Sequence, residues 1–294
     1  MRILVGAVLT AAAVIMMPSG AGAETSDAQR LCLANGTSVD QKLVACSSII
    51  MNAPPGEPKA LASVYISRGN AYLGKNDYGL ALRDFDEATR IDPNNRSSYN
   101  GRGLVFLHQK QFDQAIAEFD QAIKLNPGDP IPWTNRGNAY REKGRFDRAL
   151  QDYDTAITIN PKWINAYFGR ALTFQEKARY DFDAFLNEGS LEDRAIAEYT
   201  KVLQIAPNNA ASYSNRGQLY LRERKYNLAI ADFTQAVQLD PSNPLFIKNR
   251  AYTYRTIRQF DLAVADYRKA LTLKVDVAMR KEIERALNEL GTAA

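Results

Sequence analysis

The sequence predicts an all-helical protein in which antiparallel helix pairs stack one after another. Two observations carry that prediction. A short tract first met as Tyr65 to Tyr72 returns at intervals of 34 residues as Tyr99 to Phe106, Trp133 to Tyr140 and Tyr167 to Phe174, and twice more as Tyr213 to Tyr220 and Ile247 to Tyr254. Within each copy the apolar residues are spaced by three, four and seven, which puts them on one face of an α-helix. A unit of this size cannot bury its apolar face alone, so a period of this length implies stacking against neighbouring units.

The columns of the repeat are chemically narrow. A small residue sits in each first helix, as Gly69, Gly103, Gly137, Ala171, Gly217 and Ala251. A second block follows with Ala81, Ala115, Ala149, Ala195, Ala229 and Ala263, then an aromatic ring four residues on: Phe85, Phe119, Tyr153, Tyr199, Phe233 and Tyr267. Five units close on a proline, from Pro93 to Pro241, which ends the second helix. Small residues let two helices approach closely and the rings fill the space beside them. These columns resemble the tetratricopeptide repeat. The resemblance implies a right-handed superhelical solenoid, and six units cover residues 61–275. The departures are minor: Ile247 replaces the leading aromatic, and Val202 replaces an alanine.

The ends of the chain read differently. Arg2, the uncharged apolar run Ile3 to Met17, the break at Pro18-Ser19-Gly20 and the small residues Ala21-Gly22-Ala23 predict a signal peptide, residues 1–23, cleaved after Ala23. An uncleaved anchor is the alternative. Residues 24–60 predict a helical hairpin and a stiff linker, Pro54-Pro55-Gly56-Glu57-Pro58. Cys32 and Cys46 are the only cysteines. In an oxidising compartment such a pair reads as a disulfide, worth about 3 kcal/mol for a loop of this length; two free thiols are the alternative. In the fourth unit the interval from Ala171 to Gly217 is twelve residues longer than the repeat, and the excess falls within residues 177–192. Tyr180, Phe182 and Phe185 lie there. They read either as a locally buried helical extension or as a projecting contact site. Residues 276–294 predict a capping helix: Asp276 starts it, Met279, Ile283, Ala286, Leu287 and Leu290 share one face, and charges cover the other.

An arginine precedes the small residue in every unit: Arg68, Arg102, Arg136, Arg170, Arg216 and Arg250. Sixteen residues later comes an acid in every unit but the fourth, so internal ion pairs compete with an anion-binding strip as the reading. The chain carries 37 Lys and Arg against 33 Asp and Glu, a balance that does not point to nucleic acid. His108 is the only histidine, so no His/Cys metal cluster can assemble, and no catalytic constellation, phosphate loop or cofactor motif is present. The chain reads as no enzyme and as binding no cofactor.

The resemblance implies that the first helix of each unit lines a concave, ligand-facing surface. Carried onto this chain, that face holds Asn70, Asn100, His108, Asn135, Asn138 and Arg141, then Phe168, Asn215, Arg222, Lys248, Tyr252 and Arg255. Its last third is cationic and aromatic, which suits an acidic polypeptide segment. The clamp by which one subfamily holds chaperone carboxylates is missing, because Ile66 stands at its lysine and Gly101 at its second asparagine. The leader and paired cysteines are similar to periplasmic members of the family. They imply a periplasmic or secreted scaffold binding proteins or peptide segments, with no nucleic acid, no membrane insertion after cleavage and no indicated homo-oligomer. The alternative function is a regulatory or substrate-binding subunit of an envelope enzyme such as a peptidoglycan hydrolase. Mass spectrometry of the exported protein is expected to show loss of residues 1–23 and two fewer hydrogens for a Cys32–Cys46 bond. Two alkylatable thiols in the native protein would contradict the bond.

Overall fold

The computed structural model describes residues 21–34, 36–53, 58–180 and 190–291. Most of the predicted signal peptide, and Phe182 and Phe185 of the insertion, lie outside them. Every regular element among the described residues is an α-helix. The chain divides into two compact units, Met1–Val105 and Phe106–Ala294.

The first unit opens with α1 (Ala21–Leu33) and α2 (Val39–Met51), which pack against each other and against α3 (Pro58–Gly74). The Ser38 side chain caps α2 by accepting a hydrogen bond from the Gln41 amide. Cys32 and Cys46 form a disulfide with a Cα–Cα distance of 4.9 Å. Both are fully buried, in a small core with Ala45 and Val64. The Ser67 hydroxyl ties the hairpin to α3 by donating to the Cys32 carbonyl at 2.5 Å. α4 (Tyr78–Ile91) pairs with α3, and α5 (Arg96–His108) carries the boundary between the units. The Phe85 ring of α4 lies against both Gly69 of α3 and Gly101 of α5. That crowding explains why the missing clamp asparagine cannot stand at position 101: any Cβ there would meet the ring.

The second unit continues with α6 (Phe112–Leu125), α7 (Pro130–Glu142), α8 (Phe146–Ile159), α9 (Ile164–Tyr180) and α10 (Leu191–Ile205). Then come α11 (Ala210–Arg222), α12 (Tyr226–Leu239), α13 (Pro244–Thr256), α14 (Phe260–Leu271) and α15 (Val277–Gly291). Helix starts follow local chemistry. Pro130 and Pro244 take first-turn positions, and the Asp129 and Asn243 side chains accept from the Ile131 and Leu245 amides at 3.0 and 3.1 Å. The turns between paired helices use the left-handed region at Lys110, Gly144, Arg224 and Arg258. Only Gly144 adopts it without a Cβ penalty. The insertion lengthens α9 to 17 residues against 13 for α7, α11 and α13, one extra turn.

The cap behaves as a helix with one apolar face. The Met279 amide donates to Asp276 at 2.7 Å, and Ile283, Ala286 and Leu290 are buried against Ala263, Tyr267 and Ala270 of α14.

Arg136, Arg170, Arg216 and Arg250 each hold two carboxyl or hydroxyl groups, not one. Arg136 makes two bonds to Asp152 of its own unit, at 2.8 and 2.6 Å, and a third to Asp120 of the unit before, at 2.5 Å. Arg170 likewise bridges Glu198 and Asp154, while Arg216 and Arg250 bond Asp232 and Asp266 on one side and the Thr200 and Thr234 hydroxyls on the other. Burial opposes the Arg136 charge, but Asp152 and Asp120 outweigh it and its pKa lies above the ordinary value. The Arg136 guanidinium also lies over the Trp133 and Tyr140 rings, at 4.8 and 5.9 Å from their centroids. In the first unit Arg68 pairs with Asp84 at 2.7 Å and Arg102 with Asp86 at 3.0 Å. The ladder is structural.

Tyr153 is the ring that a test should crowd. It is fully buried, and a Cβ on Gly137 or Gly169 would stand 2.8 or 2.6 Å from its Cε1 atom. Gly169→Ala is therefore expected to destabilise the chain by about 1–3 kcal/mol, the usual cost of overpacking. A urea midpoint lowered without change of slope would show it.

Candidate functional site

Two clefts open on the first helices of the second unit. One, of about 490 Å³, is bordered by Leu107 and His108 at the end of α5, by Asn138 and Arg141 of α7, and by Phe168 and Leu172 of α9. The other, of about 320 Å³, takes Gln175 and Arg179 from α9, Leu221 and Arg222 from α11, Lys248, Asn249 and Tyr252 from α13, and Glu282 from α15. The four α9 residues Phe168, Leu172, Gln175 and Arg179 are spaced by four, three and four, so one helix face serves both clefts. Seven residues expected on the ligand face are thus brought to two places: His108, Asn138, Arg141 and Phe168 to the first, Arg222, Lys248 and Tyr252 to the second. Asn135, Asn215 and Arg255 line neither. In the first unit, Asn70 is exposed on α3 and Asn100 half-buried on α5. Tyr180 ends α9.

The cations of the last third have partners within the chain. Arg222 pairs with Glu192 at 2.6 Å, Lys248 with Glu282 at 2.9 Å and Arg255 with Glu289 at 3.0 Å. The capping helix α15 supplies two of these carboxylates, Glu282 and Glu289. Arg179 is exposed, and Tyr252 is 49% exposed.

The residues that sequence reasoning missed are the tyrosines of the second helices. The Tyr153 hydroxyl donates to the Asn138 side-chain carbonyl at 2.7 Å and feels the charge of Arg141. The Tyr199 hydroxyl donates to the Gln175 side-chain carbonyl at 2.6 Å, and Tyr267 feels the charge of Arg255. Burial raises the pKa of all three phenols above the ordinary value, so Tyr153 and Tyr199 stay neutral donors. Arg141 is also engaged by Glu142 at 2.6 Å and by Glu176. A signal for this was present in the sequence. Twelve residues before Phe85, Phe119 and Phe233 stand Leu73, Leu107 and Leu221; at the matching position before Tyr153, Tyr199 and Tyr267 stand Arg141, Gln175 and Arg255. A hydroxyl reaches the ligand face only where a polar group awaits it.

Models of the tetratricopeptide repeat match residues 66–130, 118–151, 210–243 and 249–274, and a model of the TPR repeat matches residues 137–177. The chain belongs to the tetratricopeptide-repeat family. No curated protein matches it. Among solved structures, Pseudomonas aeruginosa pilF aligns with a TM-score of 0.64 and 17% identity over 79% of this chain and all of its own. A tetratricopeptide repeat protein of Parabacteroides merdae aligns at 0.62 and 15% over 92% of this chain and 99% of its own. IFIT1, solved with Gppp-AAAA, aligns at 0.69 and 13% over 91% of this chain and 62% of its own. At these identities the likeness is one of fold.

Tetratricopeptide-repeat columns accept either ring at position 153, since Phe occupies it in three units. Tyr153→Phe is therefore expected to fold and to cost about 0.5–1.5 kcal/mol, the net worth of a lost hydrogen bond. Equilibrium urea unfolding reads that cost, and a crystal structure of the variant is expected to show the Asn138 and Arg141 side chains displaced.

Proposed function

We propose that this tetratricopeptide-repeat protein is a non-catalytic scaffold of the bacterial cell envelope that holds partner polypeptide segments against the first helices of its second unit. The observation that carries this reading is the division of labour between residues. Small residues, rings and arginines are consumed by stacking, whereas the side chains that vary from unit to unit converge on the two clefts. A rigid array presents them with little ordering cost. The Cys32–Cys46 bond supports an oxidising compartment, and the leader supports export to the periplasm. No described helix is long and apolar enough to cross a membrane. Among the described residues no three metal-ligating side chains gather.

The test is crosslinking in intact cells, purification of the complex, and hydrogen exchange of the bound chain. The expected result is a polypeptide partner whose binding protects α7, α9 and α13. Phe168→Ala with Tyr252→Ala is expected to weaken that partner at least about tenfold, or 1.4 kcal/mol, with an unchanged melting curve. Unchanged affinity with protection confined to the end of α9 and the start of α10 would move the site to the insertion. Hydrolytic activity on peptidoglycan that co-purifies with the chain would favour the enzyme-subunit alternative.

A further inference from the structure

The outer faces of the second helices are not alike. α4, α6, α8, α10 and α14 each expose both acidic and basic side chains. α12 exposes neither: its one charged residue, Asp232, is buried and bonded to Arg216. Asn227 stands in its first turn where α6, α8, α10 and α14 carry aspartate. An acid there favours a helix N-terminus, so α12 gives up a stabilising charge. Leu228 and Leu262 take equivalent positions of α12 and α14, 34 residues apart, and each is 49% exposed. The same column holds Gln114, Arg148 and Arg194 in the units before.

About one turn after each leucine stands an exposed alanine, Ala231 and Ala265. Leu228, Ala231, Gln235 and Gln238 are spaced by three, four and three, so an uncharged strip runs along α12. A row of knobs beside a row of hollows complements itself when turned through half a revolution. A two-fold axis crossing α12 and α14 between the two rows sets each leucine over the equivalent alanine of a second copy. The facing helices then run antiparallel. Near such an axis each residue meets its own kind, so a charge there would repel itself, and α12 presents none. Charges farther from the axis can pair. Asp261 and Arg268 are both exposed and seven residues apart, on one flank of α14. Asp261 precedes the leucine row and Arg268 follows the alanine row. Antiparallel pairing therefore brings Asp261 of each copy within a helical turn of Arg268 of the other.

We propose that the outer face of α12 and α14 is a homodimer contact, covered by the same face of a second copy in an antiparallel two-fold arrangement. Two helix faces bury less than the roughly 800 Å² per partner of a standard stable interface. The dimer is accordingly weak and reversible, with a dissociation constant on the order of 100 μM. Both clefts lie on first helices, so the contact leaves them open and the dimer carries two of each. A ligand with two copies of a binding segment is then held at both subunits, which raises its apparent affinity with no new contact.

The experiment is sedimentation equilibrium of the full exported chain from about 10 μM to about 1 mM. A monomer–dimer equilibrium is expected across that range. Leu228→Arg with Leu262→Arg is expected to stay monomeric throughout. Arg148 and Arg194 already occupy this column, so the variant is expected to fold, and an unchanged melting curve checks it. Asp261→Lys and Arg268→Glu are each expected to weaken the dimer about threefold, the effect of a rim ion pair made twice. The two changes together are expected to restore it, because the swapped charges face each other again. A wild-type chain that is monomeric at about 1 mM would overturn the proposal. So would self-association undiminished by the two leucine changes, or charge changes whose effects simply add. A monomer whose α12 and α14 are protected from hydrogen exchange by a captured partner would also overturn it, and would give the face to that partner.

Discussion

The stack depends on one close approach: an aromatic ring of a second helix wedged against the bare backbone of two first helices. Tyr153 sits between Gly137 of its own unit and Gly169 of the next, and Phe85 between Gly69 and Gly101. The ring touches backbone on both sides, so its position determines how far one first helix stands from the next. Dispersion at such contacts is strong because no void separates the surfaces. Where the sequence allows an alanine, as at Ala171 and Ala251, the residue is still fully buried. The 34-residue period is the covalent expression of this geometry: each ring meets a small residue in the first helix of its own unit, and Phe85 and Tyr153 meet a second glycine in the next.

The arginines reinforce that joint from the side. Each guanidinium has more donors than one carboxylate can use, and the surplus reaches into the preceding unit, to Asp120, Asp154, Thr200 or Thr234. A buried ion pair is a weak source of net stability because desolvation opposes attraction. Its value here is directional: a planar fork held at both ends fixes the rotation of one unit on the next. The same arrangement removes a row of basic residues from the surface. With those arginines committed, and with Lys248 and Arg255 answered by Glu282 and Glu289 of the capping helix, the ligand face of the second unit is far less cationic than its residue count suggests.

What gives that face its character is the difference between phenol and phenyl at a single column. A tyrosine passes a hydroxyl through the stack to hold Asn138 or Gln175. A phenylalanine sends nothing, and the side chain above it is leucine. The core thereby sets which surface groups are fixed. Structure and recognition share one residue, and its exchange by a single oxygen alters the second with little effect on the first.

The repeat and its columns were legible in the sequence because stacking imposes a short-range rule: the spacings of three and four belong to the helix, and small residues and rings are demanded at every period. The disulfide partners were legible because only two cysteines exist, and the Asp276 cap because its chemistry is local. The family resemblance also marked seven of the residues that line the clefts, since it implies which columns of the first helices face a ligand. It did not show that Arg136 reaches backward as well as forward, that α15 neutralises Lys248 and Arg255, or that the Tyr153 and Tyr199 hydroxyls hold Asn138 and Gln175. Those contacts join residues from different units, and their distances depend on how one helix pair sits on the next. Periodicity determines which residues face each other; only the packed chain decides which of their polar atoms are already taken.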